Sequence, residues 1–144
     1  MQRASLTWRI PDFMQQQGRL VSPDFESGQP ACTRKLRLKV HPHGDGIDNC
    51  VSAFLASDFE EDGPGMLVQF TIELLDQAER CRRPGHVLAG KKELSFSQAD
   101  WGWKEFVSHE YLQANADRFL VGGAVVFKVD VTWLEKLAAV KSDE

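Results

Sequence analysis

Apolar and polar residues alternate along several stretches of this chain. That two-residue period is the mark of strands with one dry and one wet face. Leu6, Trp8 and Ile10 alternate with Thr7 and Arg9 until Pro11-Asp12 ends the run, which predicts a half-buried first strand. From 13 to 30 the period is lost to Gly18, Pro23, Gly28 and Pro30, with brief pairing open to Leu20-Val21-Ser22 and Phe25. Leu36, Leu38 and Val40 against Lys35, Arg37 and Lys39 give the clearest strand, closed by the turn residues His41-Pro42-His43-Gly44-Asp45-Gly46. Val51, Ala53 and Leu55 then oppose Cys50, Ser52, Phe54 and Ala56. After an acidic loop over 58–65, Val68, Phe70, Ile72 and Leu74 alternate with Gln69, Thr71 and Glu73.

A polar, basic excursion over 77–90 precedes a further strand with Lys92, Leu94 and Phe96. Residues 107–116 are helix-compatible, with Ser108 as the N-cap. Residues 121–133 return to β character, with Val125, Phe127, Val129 and Val131 on one face. Trp133, Leu134, Leu137 and Ala138 follow helical spacing. Residues 134–144 are therefore expected to be a tail or the start of a connecting helix behind a domain spanning 1–133. Short connections imply antiparallel pairing. The expected fold is all-β: an antiparallel sandwich of seven to eight strands with one short helix.

The 144 residues suffice for one domain with a real core. Seventeen basic and 21 acidic residues leave a net charge of −4, which argues against a protein built to hold a phosphate backbone. No run reaches the roughly 18 apolar residues of a membrane span, and Met1-Gln2-Arg3-Ala4-Ser5 lacks the apolar stretch of a signal peptide. Cys32, Cys50 and Cys81 are odd in number and lack CxxC spacing, so neither a disulfide framework nor a zinc site is expected. Reduced thiols in the cytoplasm or nucleus fit best, with Cys32 and Cys50 as small buried residues. His41, His43 and Asp45 are ligand types, but alternate strand positions diverge and Pro42 and Gly44 make a turn, so no metal is expected. No nucleophile elbow, phosphate loop or HExxH motif occurs, so no enzyme and no cofactor are expected.

The most informative segment is Asp100-Trp101-Gly102-Trp103-Lys104-Glu105-Phe106. Buried indoles need hydrogen-bond partners, and a glycine between them lets backbone approach closely. This aromatic corner either plugs the core or lines a groove for a partner. Phe54 has the parity opposite to Val51, Ala53 and Leu55, so it is a pocket wall, a scattered surface ring or part of second-sheet packing; Phe70 shares parity with Ile72 and Leu74, which favours the core.

In order, these landmarks resemble the MATH domain, also called the TRAF-like domain, from about residue 6 to 131. Trp8-Arg9-Ile10-Pro11-Asp12-Phe13 resembles the family's W-x-I-x-x-F opening, and Ser22-Pro23-Asp24-Phe25 its S-x-x-F element. The stretch from Leu36 to Gly44 is similar to the strand usually ending tyrosine-proline-x-glycine, and Val51-Ser52-Ala53-Phe54-Leu55 to its L-S-L-Y-L strand. Phe70-Thr71-Ile72-Glu73-Leu74-Leu75-Asp76-Gln77 and the WG-x-x-x-F segment from Trp101 to Phe106 complete the likeness, followed by Tyr111-Leu112. Leu36 stands where many members carry tryptophan, His41 where they carry tyrosine or asparagine, and Gly122-Gly123 replaces an aspartate-rich turn.

The resemblance implies a non-enzymatic module that binds short linear peptide motifs of partner proteins in a shallow groove, with no role for nucleic acid or membrane. By likeness to ubiquitin-ligase adaptors of the speckle-type POZ class, the groove would use Phe54, Phe70, Leu94, Trp101 and Trp103, with Asp100 as a polar anchor. By likeness to the receptor-binding TRAF proteins, Lys39 and His41 would contact the peptide, with Asp45 nearby. The expected role is a substrate- or receptor-recruiting adaptor linked to ubiquitination or signalling. The alternatives are a structural or homo-oligomerisation domain, or the non-catalytic recruiting part of a larger deubiquitinase or ligase-adaptor chain.

Overall fold

The computed structural model describes residues 2–27, 35–61, 63–78 and 84–135. Alternating runs become the strands β1 (Gln2–Ile10), β4 (Leu36–His41), β5 (Cys50–Ser57), β6 (Met66–Leu74), β7 (His86–Leu94), β8 (Asp100–Ser108) and β9 (Val125–Glu135). Two-residue strands β2 (Leu20–Val21) and β3 (Glu26–Ser27) lie in the stretch that lost its period. All pairings are antiparallel, in a larger sheet of order β3-β1-β9-β6-β7 and a smaller sheet of order β2-β4-β5-β8. The expected all-β sandwich is the observed one.

The dry faces meet between the sheets. Leu36, Leu38, Val40, Val51, Ala53 and Leu55 pack from the smaller sheet against Leu6, Val68, Phe70, Ile72, Leu74, Phe127, Val129 and Val131 from the larger one. Burying each large apolar side chain contributes about 1.5–3 kcal/mol, so the alternation alone selects which face turns inward.

Several expectations change. β7 begins at His86, inside the stretch that reads as a polar excursion, and Phe96 leaves the strand for a hairpin tip where it is 54% exposed. β7 is an edge strand, and Lys91, Lys92 and Glu93 blur the period that marks interior strands. Residues 100–108 form a continuous strand, so the aromatic segment is not a corner. The expected cap holds, because the Tyr111 N–H donates to Ser108 Oγ at 3.0 Å, but it starts the first of two short helices, α1 (His109–Ala114) and α2 (Ala116–Phe119). The helical spacing from Trp133 does not become helix at its start. Trp133 and Leu134 pair with Val68 and Leu67 in β9, while residues 136–144 lie outside the described ones. Cys50 is partly exposed at the start of β5 rather than buried, and Cys32 and Cys81 lie outside the described residues.

Candidate functional site

β8 ends the smaller sheet and β7 ends the larger one, and no strand among the described residues pairs with the outer edge of either. The two edges face each other along one side of the sandwich. Ala56 pairs with Asp100, Leu55 with Trp101, Phe54 with Gly102 and Ala53 with Trp103. This register sorts the candidate residues into two groups. Trp101 and Trp103 share the inward parity of Leu55 and Ala53, whereas Phe54 points outward beside its other cross-strand neighbour, Lys39.

On the inward side, the half-buried Trp103 ring lies 5.7 Å from Phe70 and 6.4 Å from Phe106, centroid to centroid. Gly90 of β7 makes this meeting possible: a Cβ there would stand 3.0 Å from Phe70 Cζ and 3.4 Å from Trp103 Cη2. Phe70 and Leu94 are only 2% and 0% exposed, so they belong to the core and present no surface to a ligand. Trp101 is 36% exposed, and the Lys92 ammonium sits 4.2 Å from its ring centroid.

On the outward side, the His41 ring meets Phe54 edge-on at 6.1 Å and 88°. Lys39 Nζ reaches Asp100 Oδ2 at 3.8 Å; with both side chains partly exposed, such a pair contributes no more than about 1 kcal/mol. Arg37 donates to Asp24 at 2.9 Å, and this hydrogen bond, helped by the carboxylate charge, raises the guanidinium above its ordinary pKa. The other histidines turn elsewhere. His43 Nε2 lies 2.8 Å from the Met14 carbonyl oxygen and His109 Nε2 2.7 Å from that of Pro42, with their rings 5.3 Å apart. His41, His43 and Asp45 do not converge, and no group of three His, Cys, Asp or Glu among the described residues could hold a metal ion.

Of two supporting residues, Ser52 carried little signal in the sequence and Gly102 a clear one. The β5–β8 register shifts between Val51 and Ala53, and Ser52 fills the irregularity. Its hydroxyl, fully buried, donates to the Lys104 carbonyl at 2.6 Å and accepts from the Asp45 N–H at 2.9 Å. Outward parity alone reads Ser52 as a surface residue. Gly102 was legible as a close-approach glycine: a Cβ there would fall 2.1 Å from the Ala53 carbonyl oxygen and 2.6 Å from Phe54 Cα.

A concavity of 750 Å³ lies elsewhere, on the outer face of the larger sheet, lined among others by Ser5, Gln69, Thr71, Lys91, Asp130 and Thr132. Its lining mixes polar and apolar groups, and its one aromatic residue, Phe70, is buried. The β7–β8 edge gathers partly exposed aromatics along strands with no outer partner among the described residues, the features on which binding energy concentrates. No helix among the described residues is long and apolar enough to cross a membrane.

The family model described as the MATH domain matches residues 5–131, a span from β1 into β9 that contains all the candidate site residues. No curated protein matches the chain.

Proposed function

The chain belongs to the MATH domain family, whose members are non-catalytic protein–protein interaction modules, and from that premise we propose that its β7–β8 edge binds short extended peptide motifs of partner proteins. The observation that carries this reading is the open edge of β8, with Trp101 and Trp103 on one side of its backbone, Phe54, Lys39 and Asp100 on the other, and Gly102 between them. An extended peptide adds main-chain hydrogen bonds along such an edge and places alternate side chains on the two sides. Trp101 is the exposed wall, Phe54 a half-buried one on the outer face, Trp103 the half-buried floor, and Phe70 the packing beneath it, with Leu94 in the adjoining core. His41 orients Phe54 by ring contact, and Lys39 and Asp100 supply exchangeable charges. The role that follows is a recruiting adaptor linked to ubiquitination or signalling, working at affinities of about 1 µM, in the cytoplasm or nucleus where thiols stay reduced.

The test is capture from a library of extended peptides, scored on the wild type and on Trp103→Ala and Phe54→Ala. Loss of capture by folded variants is expected, and undiminished capture would refute this site. A second reading, self-association, is favoured by the exposed cross-strand pair Leu67 and Leu134, 46% and 50% exposed on the outer face of the larger sheet. Mass in solution separates the two, since a stable oligomer dispersed by polar substitution of these leucines supports self-association.

A further inference from the structure

Lys92 and Trp101 face each other from the two open edges. Lys92 lies opposite Val68 in the β6–β7 register, and Val68 is in the core, so the lysine leaves β7 on its inward side. Its ammonium rests 4.2 Å from the centroid of the Trp101 ring and makes no ion pair among the described residues. The exposed indole of the site is thus already occupied in the free protein, by an attraction between a cation and the negative face of the ring.

We propose that Lys92 is a built-in cap on Trp101, released by a peptide that carries an acidic residue next to an apolar one. This rests on the peptide-binding reading of the β7–β8 edge. The acidic group draws the ammonium off the indole into an ion pair, and the neighbouring apolar side chain takes the vacated ring face. The charge distribution selects that chemistry. The whole chain is acidic, with a net charge of −4, yet on the side of β7 that faces Trp101 the charge is that of Lys92, because Lys91 and Glu93 turn to the opposite face and Asp100 is engaged by Lys39 at 3.8 Å. A cation held at the ring of an acidic molecule draws carboxylates to that point. A basic ligand residue would meet Lys92 on the ring it needs.

The first experiment needs no ligand. The indole N–H resonance of Trp101, assigned with Trp101→Phe, is followed in the wild type and in Lys92→Met, which keeps an apolar stem and removes the charge. A shifted resonance is expected, and an unchanged one overturns the cap. The second uses acetylated octapeptides with a serine and threonine background and one leucine followed by glutamate, glutamine or lysine. The wild type is expected to prefer glutamate over glutamine by about two- to fivefold, with lysine last, the ratio a partly exposed cation–ring contact supports. Lys92→Met is expected to erase that preference and to bind the glutamine peptide about twofold more tightly. Binding that depends on Trp103 and keeps its acid preference in Lys92→Met overturns this inference alone. Binding that survives both Trp103→Ala and Phe54→Ala overturns the reading of the site, and this inference with it.

Discussion

Trp103 and Phe70 belong to different sheets, and their rings meet with centroids 5.7 Å apart behind the open β7–β8 edge. One indole therefore both closes the sandwich and forms the floor of the proposed site, so its loss is expected to have two consequences of different size. Trp103→Ala is expected to cost about 2–3 kcal/mol, less than the removal of a fully buried aromatic, and to abolish peptide capture. Phe54 stands on the outer face, and Phe54→Ala is expected to cost no more than about 1 kcal/mol while also abolishing capture. Urea unfolding alongside peptide titration separates the two effects. A folded Phe54→Ala variant with full affinity would remove Phe54 from the site.

Gly102→Ala tests how closely β8 and β5 approach. Its Cβ would overlap the Ala53 carbonyl oxygen, 2.1 Å away, and backbone atoms yield only by moving a strand. The expected loss is about 1–3 kcal/mol, the range of overpacking in tight interiors. A Gly102→Ala variant with wild-type stability in urea would show that the strands have room.

Ser52→Ala removes a buried hydroxyl with a partner on each side, the Asp45 N–H at 2.9 Å and the Lys104 carbonyl at 2.6 Å. Stranding both backbone groups is expected to cost about 1–3 kcal/mol. The same change should speed amide exchange at Asp45, whose N–H loses its acceptor. Protection at Asp45 equal to that of the wild type would mean that water replaces the hydroxyl.

Asp76 and Arg118 form an ion pair 2.8 Å apart, with side chains 0% and 18% exposed. Asp76 also accepts from the Ala78 N–H, and Gln77 Nε2 donates to the Phe119 and Ala124 carbonyls, so this corner ties α2 to the end of β6. Asp76→Ala leaves the guanidinium without its carboxylate and is expected to lower the midpoint of urea unfolding. The hydrogen bond to Asp76 raises the Arg118 pKa above its ordinary value. Its contribution is thus fully present below the unfolded-state pKa and is lost only as pH rises through the still higher folded value. Between about pH 5 and pH 9 the guanidinium keeps its charge, so Arg118 itself adds no slope to stability there. Thermal melts of Arg118→Met and the wild type across that range should run parallel above the pH at which carboxylates titrate.

The fold was largely legible because period-two alternation and burial are the same fact seen in sequence and in space. Where a strand has a dry face, as in β4, β5, β6 and β9, the pattern was unmistakable. It failed at β7, whose charged edge removes the contrast, and at 133–135, where leucine and alanine spacing beyond the strand mimicked a helix. For the site, parity placed Phe54 outward and Phe70 inward. Leu94 and Phe70 entered the candidate groove through family likeness, and their burial assigns them to the core, Phe70 against Trp103.

By itself the chain determined its β class, its inward faces, the Ser108 cap and the MATH resemblance, since each follows from the order of side chains along one strand or turn. Only the tertiary structure decided that β7 and β8 are the two facing edges. It alone set the register that divides the tryptophans from Phe54, and it put Lys92 on Trp101 and Gly90 beneath Trp103. These relationships join residues of different strands, and in part of different sheets. Contacts of that kind depend on which edges pair and where bulges fall, quantities that a local periodicity does not contain.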